Sequence, residues 1–268
     1  MMVREARARV GGRDVRYLDA GAGWPVLLIH AFPVDADMWR PQLDRVPEGW
    51  RFIAPDVRGF GRDGAAGGAV TLDDVAADLA AFLDHLKLDR AVIGGLSMGG
   101  YITFALFRRA PERFDGMILA DTKAEADTAE GRDGRRSLIE LVRTKGAAAV
   151  ADQMLPKLLS AGTRERQPAI VSTVRAMIES TSVEGIAGAL EAMMARPDST
   201  PGLSRISCPA LILVGALDEV TPEANARSME KHIDRSRVVV LPDAGHLSNL
   251  ESPDAFSRAL SDFLASNM

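Results

Sequence analysis

One serine, Ser97, sits in the frame Gly95-Leu96-Ser97-Met98-Gly99. It lies between the apolar run Ala91-Val92-Ile93 and a stretch whose apolar residues Tyr101, Phe104, Ala105 and Phe107 recur at helical spacing. The pattern is strand, tight glycine-rich turn, helix. A serine on so sharp a turn takes strained backbone angles, and a side chain two residues away on either side would collide, which explains Gly95 and Gly99. The turn also opens a helix, where free amides and the helix dipole favour a developing negative charge. The chemistry open to that hydroxyl is attack on an acyl carbon. A serine alone is a poor nucleophile, so it needs a base within hydrogen-bond reach and a carboxylate to orient the base.

Four histidines are available. His85 and His232 fall within or near the end of predicted helices and read as surface residues. His30 follows the apolar run Pro25–Ile29 and reads either as structural or as near the site. His246 lies in Pro242-Asp243-Ala244-Gly245-His246-Leu247, a loop after the last predicted strand. Loops at the C-terminal edge of a parallel sheet are where such sheets place their chemistry, so His246 is the expected base rather than a cap for the final helix. Three aspartates also follow strands: Asp56, Asp121 and Asp218. Asp218 is the expected orienting acid, one loop before His246. Asp121 is the runner-up, from a neighbouring strand end.

The elements that must position these groups alternate. Val3 to Val10, Gly11-Gly12 and Val15 to Leu18 read as a hairpin. Strands are expected at 25–29, 51–55, 91–93, 114–120, 209–214 and 237–241, and helices at 71–87, 222–232 and 253–264. Thr71 and Asp74 form a capping-box pattern at the start of the first helix. The alternation implies a mainly parallel sheet with helices on both faces. Residues 122–200 break it: they contain no Phe, Trp or Tyr, balance eleven Lys and Arg against eleven Asp and Glu, and read as several short helices.

The order Ser97, Asp218, His246 resembles that of the α/β-hydrolases. The motifs that carry the likeness are GLSMGG, GALDEVTP and DAGHLSNLESP, and it runs from the 25–30 strand to the final helix. The resemblance implies an α/β-hydrolase fold with a mainly parallel eight-stranded sheet and a helical cap inserted after the sixth strand. It divides the chain into a core in two parts, 1–121 and 201–268, around a cap at 122–200. His30-Ala31-Phe32-Pro33 resembles the family's His-Gly-x-Pro element, which implies that the backbone N–H groups of Phe32 and Met98 form an oxyanion hole. Ala31 departs from the usual glycine and adds a methyl to that loop. Members with an aspartate nucleophile, the epoxide hydrolases and dehalogenases, are excluded by Ser97.

Within the family the chain most resembles the esterase and 3-oxoadipate enol-lactonase-like branch. The expected activity is hydrolysis of small to medium carboxylic esters through an acyl-enzyme on Ser97. A lactone hydrolase, a metal-free haloperoxidase or perhydrolase, and a slow-turnover ligand-binding member are the alternatives. Cap methionines Met177, Met193 and Met194 suggest an adaptable aliphatic roof. His30, Trp39 and Tyr101 join them as expected pocket residues, with Phe32 as a further aromatic wall. An anionic lactone would want a cation, and Arg135, Arg136, Arg143 and Arg175 are at hand.

Composition sets the outer limits. The 268 residues are 47% hydrophobic and 26% charged, with a net charge of −5 and no basic block, so nothing argues for a nucleic-acid partner. One cysteine, Cys208, excludes an intramolecular disulfide. No HExxH, paired-cysteine or phosphate-loop pattern occurs, so no metal or cofactor is expected. The first residues lack the apolar segment of a signal peptide and no stretch is long and apolar enough to span a membrane, so a soluble cytoplasmic protein is expected.

Overall fold

The runs Val26–Ile29 and Ala91–Leu96 carry no charged residue, as strands buried on both faces require. In the computed structural model, which describes residues 2–61 and 71–267, both are central and fully buried. The chain order is β1 (Arg4–Val10), β2 (Arg13–Gly21), β3 (Trp24–Ile29), α1 (Arg40–Leu43), β4 (Trp50–Pro55), α2 (Leu72–His85), β5 (Ala91–Leu96), α3 (Met98–Arg109) and β6 (Phe114–Ala120). Four helices follow: α4 (Ala129–Leu158), α5 (Ala161–Arg166), α6 (Pro168–Ser180) and α7 (Val183–Ala195). The alternation then resumes with β7 (Ala210–Gly215), α8 (Glu223–Glu230), β8 (Ser236–Leu241), α9 (Ser248–Glu251) and α10 (Pro253–Asn267).

The strands form one eight-stranded sheet in the order β1-β2-β4-β3-β5-β6-β7-β8. β1 and β2 pair antiparallel, as do β2 and β4; every later pairing is parallel. Val26 pairs with Phe52 on one side and Val92 on the other, which fixes the register at the centre. The Gly11-Gly12 turn holds both residues at positive φ, 56° and 80°, where a hairpin turn needs glycine. Thr71 and Asp74 form the expected capping box, each bonding the other's backbone N–H. No helix among the described residues is long and apolar enough to cross a membrane.

The helical block consists of several short helices, as expected. The span Ala129–Leu158 is itself two helices joined at a kink at Gly146, whose φ of 78° and ψ of 179° leave the helical range. The block touches the core at the C-terminal ends of the strands. Gly185 of α7 meets Gly59 after β4 so closely that a side-chain carbon on Gly185 would run into the Gly59 carbonyl. The guanidinium of Arg196 lies 4.0 Å over the ring of Tyr101 in α3.

Candidate active site

Ser97 occupies the turn between β5 and α3 with φ 56° and ψ −112°, a region that a non-glycine residue enters only under constraint. The constraint is visible on both sides. The Ser97 N–H donates to the Ala120 carbonyl at 2.9 Å, and the Thr122 hydroxyl donates to the Ser97 carbonyl at 2.8 Å. A side-chain carbon at Gly95 would lie 2.6 Å from backbone atoms of Gly99 and Ile29. One at Gly99 would strike the Ile29 carbonyl. Both glycines are therefore required by close backbone approach.

The three separated residues meet. His246 Nε2 lies 2.8 Å from Ser97 Oγ, and His246 Nδ1 lies 2.9 Å from Asp218 Oδ2. All three side chains are buried. An ionised carboxylate can only accept, so Nδ1 carries the hydrogen and Nε2 is left to accept from the serine hydroxyl. Asp218 is itself held by the Val220 N–H at 2.8 Å, the Thr221 N–H at 3.0 Å and the Thr221 hydroxyl at 2.6 Å. Burial works to raise its pKa, but the charge of His246 and the hydrogen bonds from His246 and Thr221 outweigh it and hold the carboxyl below its usual range.

Asp121, the other carboxylate candidate, points elsewhere. It is fully buried with φ 42°, accepts the Gly215 N–H at 2.8 Å, and meets the Ser248 hydroxyl. Burial first, then the charge of Asp218, pushes its pKa well above the usual value. It bonds the strand end before Asp218 and the helix after His246, but not the imidazole.

The amides of Phe32 and Met98 donate to no acceptor among the described residues, so both are free for a ligand oxygen. Ala31 is fully buried without a positive φ, so its methyl is accommodated where a glycine is more usual. His30 uses both ring nitrogens internally. Its Nε2 accepts the Val57 N–H at 3.0 Å, which leaves Nδ1 to donate to the Ala31 carbonyl at 2.9 Å. Burial lowers its pKa, so it is a neutral brace between two loops.

The expected pocket is corrected at one residue. Trp39 is no pocket wall: it is fully buried and packs against Phe256 of α10 at 5.8 Å between ring centres. Among the described residues, the cavity beside Met98 is lined on the α7 side by Glu184, Gly185, Gly188, Ala189 and Ala192, facing Val57, Phe60, Leu72, Val75 and Ile102. Gly185, Gly188, Ala189 and Ala192 share one helical face, whereas Ile186, Leu190 and Met193 share the next and are buried inside the block. Met177 is likewise buried, Met194 is half-buried, and neither lines that cavity. Tyr101 is buried beneath Arg196.

A charged cluster not foreseen from sequence lies beside Tyr101. Asp127 takes Arg135 at 2.6 Å and Arg196 at 2.9 Å, and the Arg135 Nη1 also reaches the Met193 sulfur at 3.4 Å. Lys123 is half-buried next to it; burial, Arg196 and Arg135 together lower its pKa. Arg136, Arg143 and Arg175 are instead paired with acidic residues on the surface. Thr221 was legible in principle, since an aspartate three residues before a threonine and a proline is a turn signal. Nothing local could pair Asp127 with Arg196.

Residues 25–253 match the α/β-hydrolase fold family. The chain belongs to the α/β-hydrolases. It is 34% identical to 3-oxoadipate enol-lactonase 2 of Acinetobacter baylyi over 88% of this chain and 87% of that one. Among solved structures, this α/β-hydrolase superposes on a thermophilic esterase of Thermogutta terrifontis, described with malate bound, at a TM-score of 0.92 and 38% identity over 98% of each chain. It superposes on the enol-lactonase of Burkholderia xenovorans at 0.90 and 32%, over 97% of this chain and 100% of that chain. Hydrolase activity is what these relatives support.

Proposed function

We propose that this α/β-hydrolase cleaves carboxylic esters of small to medium acyl groups through an acyl-enzyme on Ser97. The observation that carries the reading is the unbroken line from Ser97 Oγ through His246 to Asp218, at 2.8 and 2.9 Å. Ser97 attacks the acyl carbon while His246 Nε2 takes its proton. Asp218 holds the imidazole tautomer and balances its positive charge. The Phe32 and Met98 amides receive the oxyanion, a contribution of roughly 3 kcal/mol for each such donor. His246 returns the proton to the leaving alcohol, then takes one from water to release the acid. Residues 122–200 act as a cap over this centre, with 1–121 and 201–268 as the core.

The test is labelling by a fluorophosphonate together with turnover of short-chain p-nitrophenyl esters. Ser97→Ala should abolish both; a variant that still labels at another serine would refute the assignment. A second reading, an anionic lactone, is favoured by one observation: among the described residues the Lys123 side chain has no acidic partner, while Arg135 and Arg196 are already committed to Asp127. Under that reading Lys123→Met should selectively weaken kcat/KM for a carboxylate-bearing lactone. Equal loss on neutral esters leaves the ester reading in place.

A further inference from the structure

The loop from Pro242 to Leu247 that carries His246 contains no helix or strand. Its inner side rests on the end of β7: the Ala216 N–H donates to the Leu241 carbonyl at 2.8 Å and the Leu217 N–H to the Ala244 carbonyl at 2.9 Å. Its outer side rests on the helical block. The Leu247 N–H donates to the Leu158 carbonyl, at the end of α4, at 3.0 Å. The decisive contact is Glu251, a buried residue of the one-turn helix α9. Its Oε1 accepts the Gly245 N–H at 2.9 Å and its Oε2 accepts the Ser160 N–H at 2.8 Å.

These two amides belong to different parts of the chain. Gly245 immediately precedes His246, and Ser160 lies at the junction of α4 and α5. The approach is so close that a side-chain carbon on Gly245 would lie 2.8 Å from the Ser160 nitrogen and 2.9 Å from Glu251 Oε1. Buried amides need partners, and a charged acceptor makes the stronger bond. One carboxylate serves both donors, so neither segment can shift without breaking a bond that the other shares. The Gly245 amide also sets the direction in which the imidazole leaves the backbone.

We infer that Glu251 is a positioning residue that clamps the His246 loop to the α4–α5 junction, so that the imidazole is aligned for proton transfer only while the helical block is docked. The inference rests on His246 being the base, as proposed above, but the clamp can be read without turnover.

Glu251→Gln keeps the size and one acceptor and turns an amide group toward a backbone N–H. Deuterium exchange of peptides covering 243–247 and 159–163 should then rise together. In the same variant kcat should fall about tenfold or more while KM stays within about twofold, because loss of alignment at the reacting atoms costs rate rather than binding. Ser160→Pro removes the shared amide at a residue whose φ of −57° suits proline. Ser160→Ala keeps that amide and removes only the α5 cap. The proline variant should lose about fivefold more kcat than the alanine variant, and its loss should not add to that of Glu251→Gln. Faster exchange at 243–247 alone, equal losses in the two Ser160 variants, or a fall in melting temperature with unchanged kcat would each overturn the clamp. Joint loosening in a protein whose Ser97→Ala variant remains active would instead separate the two ideas, removing the serine reading and the rate-linked role with it.

Discussion

Asp218 and Asp121 stand at adjacent strand ends of the same sheet edge, and their pKa values move in opposite directions. Asp218 has three donors besides the imidazole and is held low; Asp121 is pushed up, first by burial and then by the charge of Asp218. Asp218→Asn should therefore lower turnover by about four orders of magnitude, as removal of a triad carboxylate does elsewhere. Asp121→Asn should cost far less, because its carboxyl bonds Gly215 and Ser248 and does not touch the imidazole. Ester hydrolysis by the two purified variants measures the difference, and the reverse ranking would move the acid to the end of β6. The sign of the Asp218 shift matters for pH. A lowered carboxylate contributes stability above its unfolded pKa and loses it only as pH falls through the still lower folded value.

At the level of elements, local signals were read correctly wherever the determinant was local. The Gly11-Gly12 turn, the Thr71–Asp74 box and the apolar runs of β3 and β5 each state their conformation within a few residues. Trp39 could not, since the ring that covers it belongs to Phe256 at the far end of the chain. The kink within α4 falls at Gly146, whose positive φ ends one helix before the next begins. That Ser97, Asp218 and His246 would meet was legible because each follows a strand, but the cavity wall was not. A reader of sequence favours large apolar residues, and α7 turns its smallest face to the core. A buried acid in the short turn Ala36–Trp39 gives a further test. Asp35 caps that turn by accepting the Asp37 N–H at 2.9 Å, and burial, with Asp56 and Asp37 nearby, pushes its pKa up to about 7. The folded state thus binds a proton that the unfolded state has released, so stability falls as pH rises from about 4 to about 7. Asp35→Asn, which keeps the cap, should flatten that fall and be more stable than the parent at pH 8, with the gap closing near pH 4. Each tenfold change in proton affinity is worth about 1.4 kcal/mol, a difference that thermal melts across this range resolve.

Across the whole molecule, α7 meets the core beside Met98, at a small cavity that its glycines and alanines line. Gly188 has open space where a side chain would go and lies on the cavity beside Met98. Gly188→Ala should stabilise the fold by about 0.5–1 kcal/mol, since it removes a glycine from a helix interior without a clash. Gly188→Leu should fill the cavity and shorten the preferred acyl chain. Each methylene there is worth about 0.8 kcal/mol, so kcat/KM for a hexanoyl ester should fall about fourfold per excluded carbon relative to an acetyl ester. An unchanged chain-length profile would place the acyl group elsewhere.

The insertion between β6 and β7 also divides the centre in time. Ser97 and the Phe32 and Met98 amides precede the helical block in the chain, while Asp218 and His246 follow it, and within the sheet the halves join where Met117 to Ala120 pair with Ala210 to Leu213. A chain leaving the ribosome exposes Ser97 long before His246 exists to meet it. β8 and the histidine loop emerge only after the helical block. The line from Ser97 through His246 to Asp218 therefore forms only once the second half has joined the sheet.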